Sequence, residues 1–158
     1  IFFISGILTF LAFPLIYFYE KIFRMMSELS LLELSDSNHP LLRLLSNKTP
    51  GTLQHSIQVA NIAEEAAIEV GADPLLVKIG AMYHDIGKTD MPLYFIENQV
   101  AGLNPHDDLS FEDSAQIIIS HVIKGIEMAK KYKLPDPIID FIRSHHGTSK
   151  VQYFYRSF

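Results

Sequence analysis

Residues 1–19 read IFFISGILTFLAFPLIYFY and carry no charged side chain. A helix of that length covers about 28 Å, close to the thickness of a bilayer's hydrocarbon core. Pro14 does not oppose a span, because membrane helices tolerate proline. Tyr17 and Tyr19 give way at once to Glu20, Lys21 and Arg24, and aromatic residues followed by basic ones mark a cytoplasmic exit. A signal peptide would need a basic start and a small-residue cleavage site, and neither is present. The run is therefore read as a transmembrane helix that contacts the lipid bilayer through residues 1–19. Because the chain starts inside it, it is expected to be the last helix of a multi-pass membrane region, with everything after it in the cytoplasm.

The rest of the chain has a helical pattern almost throughout. Leu29, Leu31, Leu32 and Leu34 end at the turn-rich Ser35-Asp36-Ser37-Asn38. Pro40 opens a short helix carrying Leu41, Leu42, Leu44 and Leu45. Thr49 with Pro50 reads as an N-cap followed by proline at the first helical position, opening a helix that Gly71 ends. Asp73-Pro74 repeats that signature before an apolar helix over Leu75 to Ile86. Residues 98–108 read as loop, and Ser110-x-x-Asp113 as a capping box ahead of a helix through Met128. The last helix is expected over Ile138 to His145. Only Tyr153-Phe154-Tyr155 has any strand character, so the class is all-α. Net charge is −5, which speaks against a face that binds DNA or RNA duplexes.

There are seven histidines and no cysteine. Five of the histidines fall in four places: His55, His84-Asp85, His121, and His145-His146. Each lies on or at the end of a predicted helix whose other positions are apolar. One such ring alone is an ordinary core histidine. Five with an adjacent Asp would be costly to bury without a common partner. Facing helices of a bundle build metal sites in this way. With no thiolate available, the ligands must be nitrogen and oxygen, a set that suits iron, manganese, nickel or zinc. Asp85 has two oxygens and can bridge two ions. Gly87 is expected to let the chain turn sharply, and Lys88 to stand beyond the metals where an anion would lie. A solvated surface lysine is the alternative for Lys88. Two ions side by side would clamp the attacking and leaving oxygens of a phosphoryl displacement.

These residues carry a resemblance. His55 with His84-Asp85 in HDIGK resembles the HD phosphohydrolase superfamily, and His121 with His145-His146 resembles its two-metal phosphodiesterase branch. The strings LLELSDSNHPLLRLLSNKTPGTLQHS, MYHDIGKTDMPLYFIENQ, NPHDDLS, IIISHVIKG and YKLPDPIIDFIRSHHGTS resemble the cytoplasmic domain of the bacterial seven-transmembrane HD family. That family includes cyclic di-AMP phosphodiesterases of the PgpH type. The resemblance implies an HD-domain helical bundle: residues 1–19 as the last membrane helix, 20–48 as juxtamembrane helices, and 49–158 as the HD domain, truncated at its C-terminus.

It also implies roles. His55, His84 and Asp85 would hold one metal. Asp85, His121, His145 and His146 would hold a second, with iron or manganese in both. A further Asp ligand is expected beyond Phe158. Lys88 would touch a phosphate, with Asp85 and Lys88 as the catalytic pair. His39 and His106 match loop strings and are expected to be structural, with Asn104 and Asp107-Asp108 shaping and capping their loop. Asn98 and Gln99 match too, without a role.

The implied activity is hydrolysis of cyclic di-AMP to linear pApA at the inner face of a bacterial cell membrane. One alternative is the same chemistry on another nucleotide: cyclic di-GMP, a linear dinucleotide or a nucleoside triphosphate. The GYP string of the cyclic di-GMP branch is absent. The other alternative is a membrane receptor module that binds a nucleotide without cleaving it.

Overall fold

The computed structural model describes residues 2–23, 26–149 and 151. Arg24 of the predicted membrane exit and Tyr153-Phe154-Tyr155 lie outside the described residues. Among the described residues there is no strand. The described residues form seven α-helices in order: α1 (Phe2–Phe23), α2 (Glu28–Ser35), α3 (Pro40–Lys48), α4 (Pro50–Val70), α5 (Pro74–Tyr83), α6 (Phe111–Lys131) and α7 (Asp136–Ser144). The all-α expectation holds.

In α1, Phe2–Glu20 form one helix long and apolar enough to cross a membrane, with none of that window buried against the rest of the chain. Such a surface is unfavourable in water and favourable in lipid. At its polar end, the Glu20 carboxylate accepts the Ser27 N–H at 2.7 Å and the Ser30 hydroxyl at 2.9 Å. Ser27 caps α2 in turn, so the end of the apolar helix is tied to α2.

The core gathers one face from each short helix. Leu31 and Leu34 of α2, Leu41 and Leu45 of α3, Ile79 and Tyr83 of α5, and Ile138 and Ile142 of α7 form one buried cluster with Ile86. Tyr83 is fully buried, and its hydroxyl donates to the Leu34 carbonyl at 2.7 Å. Burial raises the pKa of this phenol well above the ordinary range. Gly80 lets the Phe141 ring of α7 pack closely on α5, where any Cβ would collide with it.

Three local expectations change. Thr49 does not cap α4 with its side chain; its hydroxyl turns back to the Leu45 carbonyl at 3.2 Å, closing α3 instead. The apolar run from Leu75 does not stay α-helical to Ile86. Helix α5 stops at Tyr83, and Ile86–Asp90 continue as a 3₁₀ turn, so His84 and Asp85 sit at the break between two helical types. The 98–108 stretch holds its own 3₁₀ turn, Pro105–Asp108, capped by the Asn104 side chain, which accepts the His106 N–H. The Ser110 cap is as expected: its hydroxyl accepts the Asp113 N–H at 3.1 Å and donates to the Asp113 carboxylate. Gly71 ends α4 in the left-handed conformation that glycine takes readily.

Candidate metal centre

The break after α5 turns the His84-Asp85 pair into the middle of the molecule. What holds it there is the next glycine. Gly87 does not take a left-handed turn. It lies against α6, where a Cβ would collide with the carbonyl oxygen of His121 and crowd the backbone of Gly125. The sharp-turn reading of Gly87 is therefore replaced by close approach: the missing side chain lets the 3₁₀ turn touch the helix backbone, bringing Asp85 and His121 together.

Asp85 is 3% exposed and divides the site with its two oxygens. Oδ2 faces His84 Nε2 at 3.1 Å and His55 Nε2 at 3.9 Å. Oδ1 faces His121 Nε2 at 3.3 Å and His145 Nε2 at 3.6 Å. His146 Nε2 lies 3.2 Å from His121 Nε2, which in turn lies 3.3 Å from His145 Nε2. Two groups of possible ligands result, His55, His84 and Asp85, and His121, His145 and His146, each with its ligand atoms within 4.8 Å of one another. Every histidine singled out in the sequence as a ligand is in one of them.

Three of the rings share a device. The Nδ1 atoms of His84, His121 and His145 lie against the carbonyl oxygens of Ala81, Ile118 and Ile142, each three residues earlier. A carbonyl only accepts, so Nδ1 carries the proton and donates. In a neutral ring Nε2 is then a lone pair. That lone pair faces a carboxylate oxygen or another Nε2, and two acceptors at contact distance repel. Protonation relieves the contact at His84: burial opposes the charged ring, but Asp85 outweighs it and raises the pKa. The same remedy fails for His145 and His146. Burial together with the neighbouring His146 and His84 pushes His145 down to about 4. Burial and His121 lower His146 as well. Neutral rings with converging lone pairs beside a carboxylate are what a divalent cation binds, and the residues present fit one.

The Asp85 carboxyl itself is held well below the usual carboxylate range. Burial works against its charge, but the facing His121 and His84 rings and the nearby Lys88 ammonium outweigh it. His55 is the odd member. Its side chain is 46% exposed, and its place on the second turn of α4 leaves one edge of the site open to solvent.

Lys88 is not a surface lysine. Its side chain is 14% exposed, with Nζ 2.8 Å from Asp85 Oδ2 and 2.8 Å from Glu97 Oε1. It also lies 5.0 Å from the Phe95 ring centroid, a cation–π distance. Glu97 and Phe95 are not visible in the sequence as parts of this site, because Glu97 lies nine positions beyond Lys88 across a run of short 3₁₀ turns. The pattern around them did signal something, through Asn98. Asn98 accepts the Thr52 N–H at 3.3 Å and donates to the Thr52 hydroxyl at 2.7 Å, fastening the turn to the start of α4. Gln99 donates to the Asn104 side chain and serves the loop. His106 bonds the Tyr94 carbonyl at 3.0 Å, and His39 caps α3, both structural as expected.

The sequence pattern of the HD domain family matches residues 52–154. The cyclic-di-AMP phosphodiesterase PgpH of Listeria monocytogenes is 50% identical over 137 residues, which cover 87% of this chain and 19% of the relative. The PgpH of Bacillus subtilis is 51% identical over 138 residues, with the same coverage. The crystal structure of the L. monocytogenes PgpH HD domain in complex with cyclic-di-AMP superposes with a TM-score of 0.74 at 52% identity, over 77% of this chain and 57% of that one. The chain spans about a fifth of the length of the two PgpH proteins.

Proposed function

The chain belongs to the HD domain family, and from that membership we propose that it is the catalytic part of a metal-dependent phosphodiesterase that hydrolyses cyclic di-AMP to linear pApA. The observation that carries the reading is the division of labour at Asp85. One carboxylate oxygen faces the His55–His84 group and the other faces His121 and His145, the arrangement a bridging ligand needs.

His55, His84 and Asp85 would hold one ion. Asp85, His121, His145 and His146 would hold the other, and nitrogen–oxygen ligation without sulfur suits iron or manganese. Such ions, when bound, supply Lewis acidity, lowering the pKa of water and neutralising charge on phosphate oxygens. The protein's share is to hold three rings in one tautomer through the Ala81, Ile118 and Ile142 carbonyls. Lys88 presents a buried ammonium beside the shared carboxylate, where it would bind a phosphate oxygen. The open edge at His55 would admit the substrate.

On this reading residues 1–19 lie in the bilayer and residues 20–48 lead from it. Residues 49–158 contribute the HD domain on the cytoplasmic face. Tyr17 and Tyr19 at the polar end of α1 suit a membrane interface, and the basic Lys21 and Arg24 that follow in the sequence support that orientation.

The test uses the full-length protein, purified with manganese or iron and incubated with cyclic di-AMP. Release of pApA, abolished by Asp85→Ala, is the expected result. Faster turnover of cyclic di-GMP, a linear dinucleotide or a nucleoside triphosphate would move the substrate. Tight nucleotide binding with no turnover by the metal-loaded protein would make it a receptor.

A further inference from the structure

Lys88 is a buried ammonium between two carboxylates, Asp85 and Glu97, each at 2.8 Å, and the first is already committed. If Asp85 is shared between cations, its charge is spent on them, and Lys88 needs a second anion to remain both charged and buried. That anion is Glu97. Its Oε1 accepts Lys88 Nζ at 2.8 Å and the Thr52 hydroxyl at 3.0 Å. Thr52 is one helical turn before His55, and Asn98 grips it through both its N–H and its hydroxyl. Gly51 makes the approach possible, because a Cβ there would collide with the Glu97 carbonyl.

We infer that Glu97 is a positioning residue for Lys88, fixing its ammonium against the α4 turn that leads to His55 so that it meets a phosphate at the metal centre. The inference rests on the proposed role of Lys88 as a phosphate contact. Glu97 acts through Lys88 and touches no substrate. The Thr52–Asn98 tether gives it a fixed origin: Lys88 is located relative to the helix carrying His55 and not only relative to its own turn. The turn holding Glu97 and Asn98 would otherwise be free to drift from α4, taking the Lys88 partner with it.

A double-variant cycle in the full-length, manganese-loaded protein tests this. Glu97→Gln keeps the size of the side chain and an acceptor for Thr52. It is expected to raise KM for cyclic di-AMP about tenfold, the loss of one charge-assisted contact, while kcat stays within about twofold. The dissociation constant for inorganic phosphate, read by calorimetry, is expected to rise by the same factor. In a Lys88→Met background, which keeps the apolar stem, Glu97→Gln is expected to add nothing to either quantity. An equal cost of Glu97→Gln in both backgrounds would make Glu97 merely structural and overturn the inference. So would unchanged KM and phosphate affinity in the single variant. The phosphate arm is read whether or not cyclic di-AMP is the substrate, so failure of the proposed activity shows separately, as absent turnover by the unsubstituted protein.

Discussion

Gly87 lies against the backbone carbonyl of His121 with no room for a methyl group between them. This contact joins the turn that carries Asp85 to the helix that carries His121, and Asp85 Oδ1 stands 3.3 Å from His121 Nε2 as a result. Replacing Gly87 with alanine forces the two apart. We expect a loss of about 1–3 kcal/mol from overpacking, measured by urea denaturation, together with weaker manganese retention on dialysis. A Gly87→Ala protein with unchanged stability and metal content would show that the contact is slack.

Asp85→Asn tests the shared carboxylate. If one side chain serves both groups of histidines, the single change should empty both. Metal affinity is expected to fall by more than the ~10–100-fold typical of removing an outer-shell partner, seen by elemental analysis as loss of both ions. Retention of half the metal would mean that Asp85 belongs to one ion alone.

Tyr83 reports on the frame behind the site. Its hydroxyl is the link between α5 and the Leu34 carbonyl at the end of α2. Tyr83→Phe leaves that carbonyl buried without its partner, at a cost of about 1–3 kcal/mol. The denaturation midpoint should drop without any change in metal stoichiometry. A midpoint equal to that of the parent would mean that water replaces the phenol there.

His39 gives the acid limb of stability. Its Nδ1 accepts the Leu41 N–H as the cap of α3, which only a neutral ring can do. Burial lowers its pKa below the ordinary 6.5, against the smaller opposing pull of Asp36. The unfolded chain therefore takes up the proton first. The contribution of His39 is complete above pH 6.5 and declines as pH falls from there toward the folded-state pKa. Burial depresses His145 likewise, to about 4, so it adds to the same limb. His39→Asn keeps a capping acceptor and should flatten part of the decline between pH 6.5 and 5, in denaturation midpoints of the metal-free protein. An identical slope in the variant would place the acid sensitivity elsewhere.

Much of this is legible in the sequence, because composition and local pattern carry it. An uncharged run of nineteen residues can form little but a membrane helix or a fully buried one. Pro40, Pro50 and Pro74 mark helix starts because a proline's fixed φ and missing N–H suit the first turn. The histidines of the centre could be picked out because so many polar rings on apolar helices have no cheap structural explanation. Thr49 holds the N-cap position of α4 that its pattern predicts, although its hydroxyl bonds back to Leu45. Gly87 differs more: the sequence predicts a local turn, whereas its contact is with the backbone of α6.

The sequence by itself determined the helical class, the membrane-length helix, and which side chains could bind a metal without sulfur. The tertiary structure decided which of them meet. Whether Asp85 spans both groups depends on the break after Tyr83 and on the Gly87–His121 contact, and whether Lys88 is solvated or buried depends on Glu97. These are distances between residues far apart in the chain. Periodicity and propensity report only on neighbours within a few turns, so packing alone could set them.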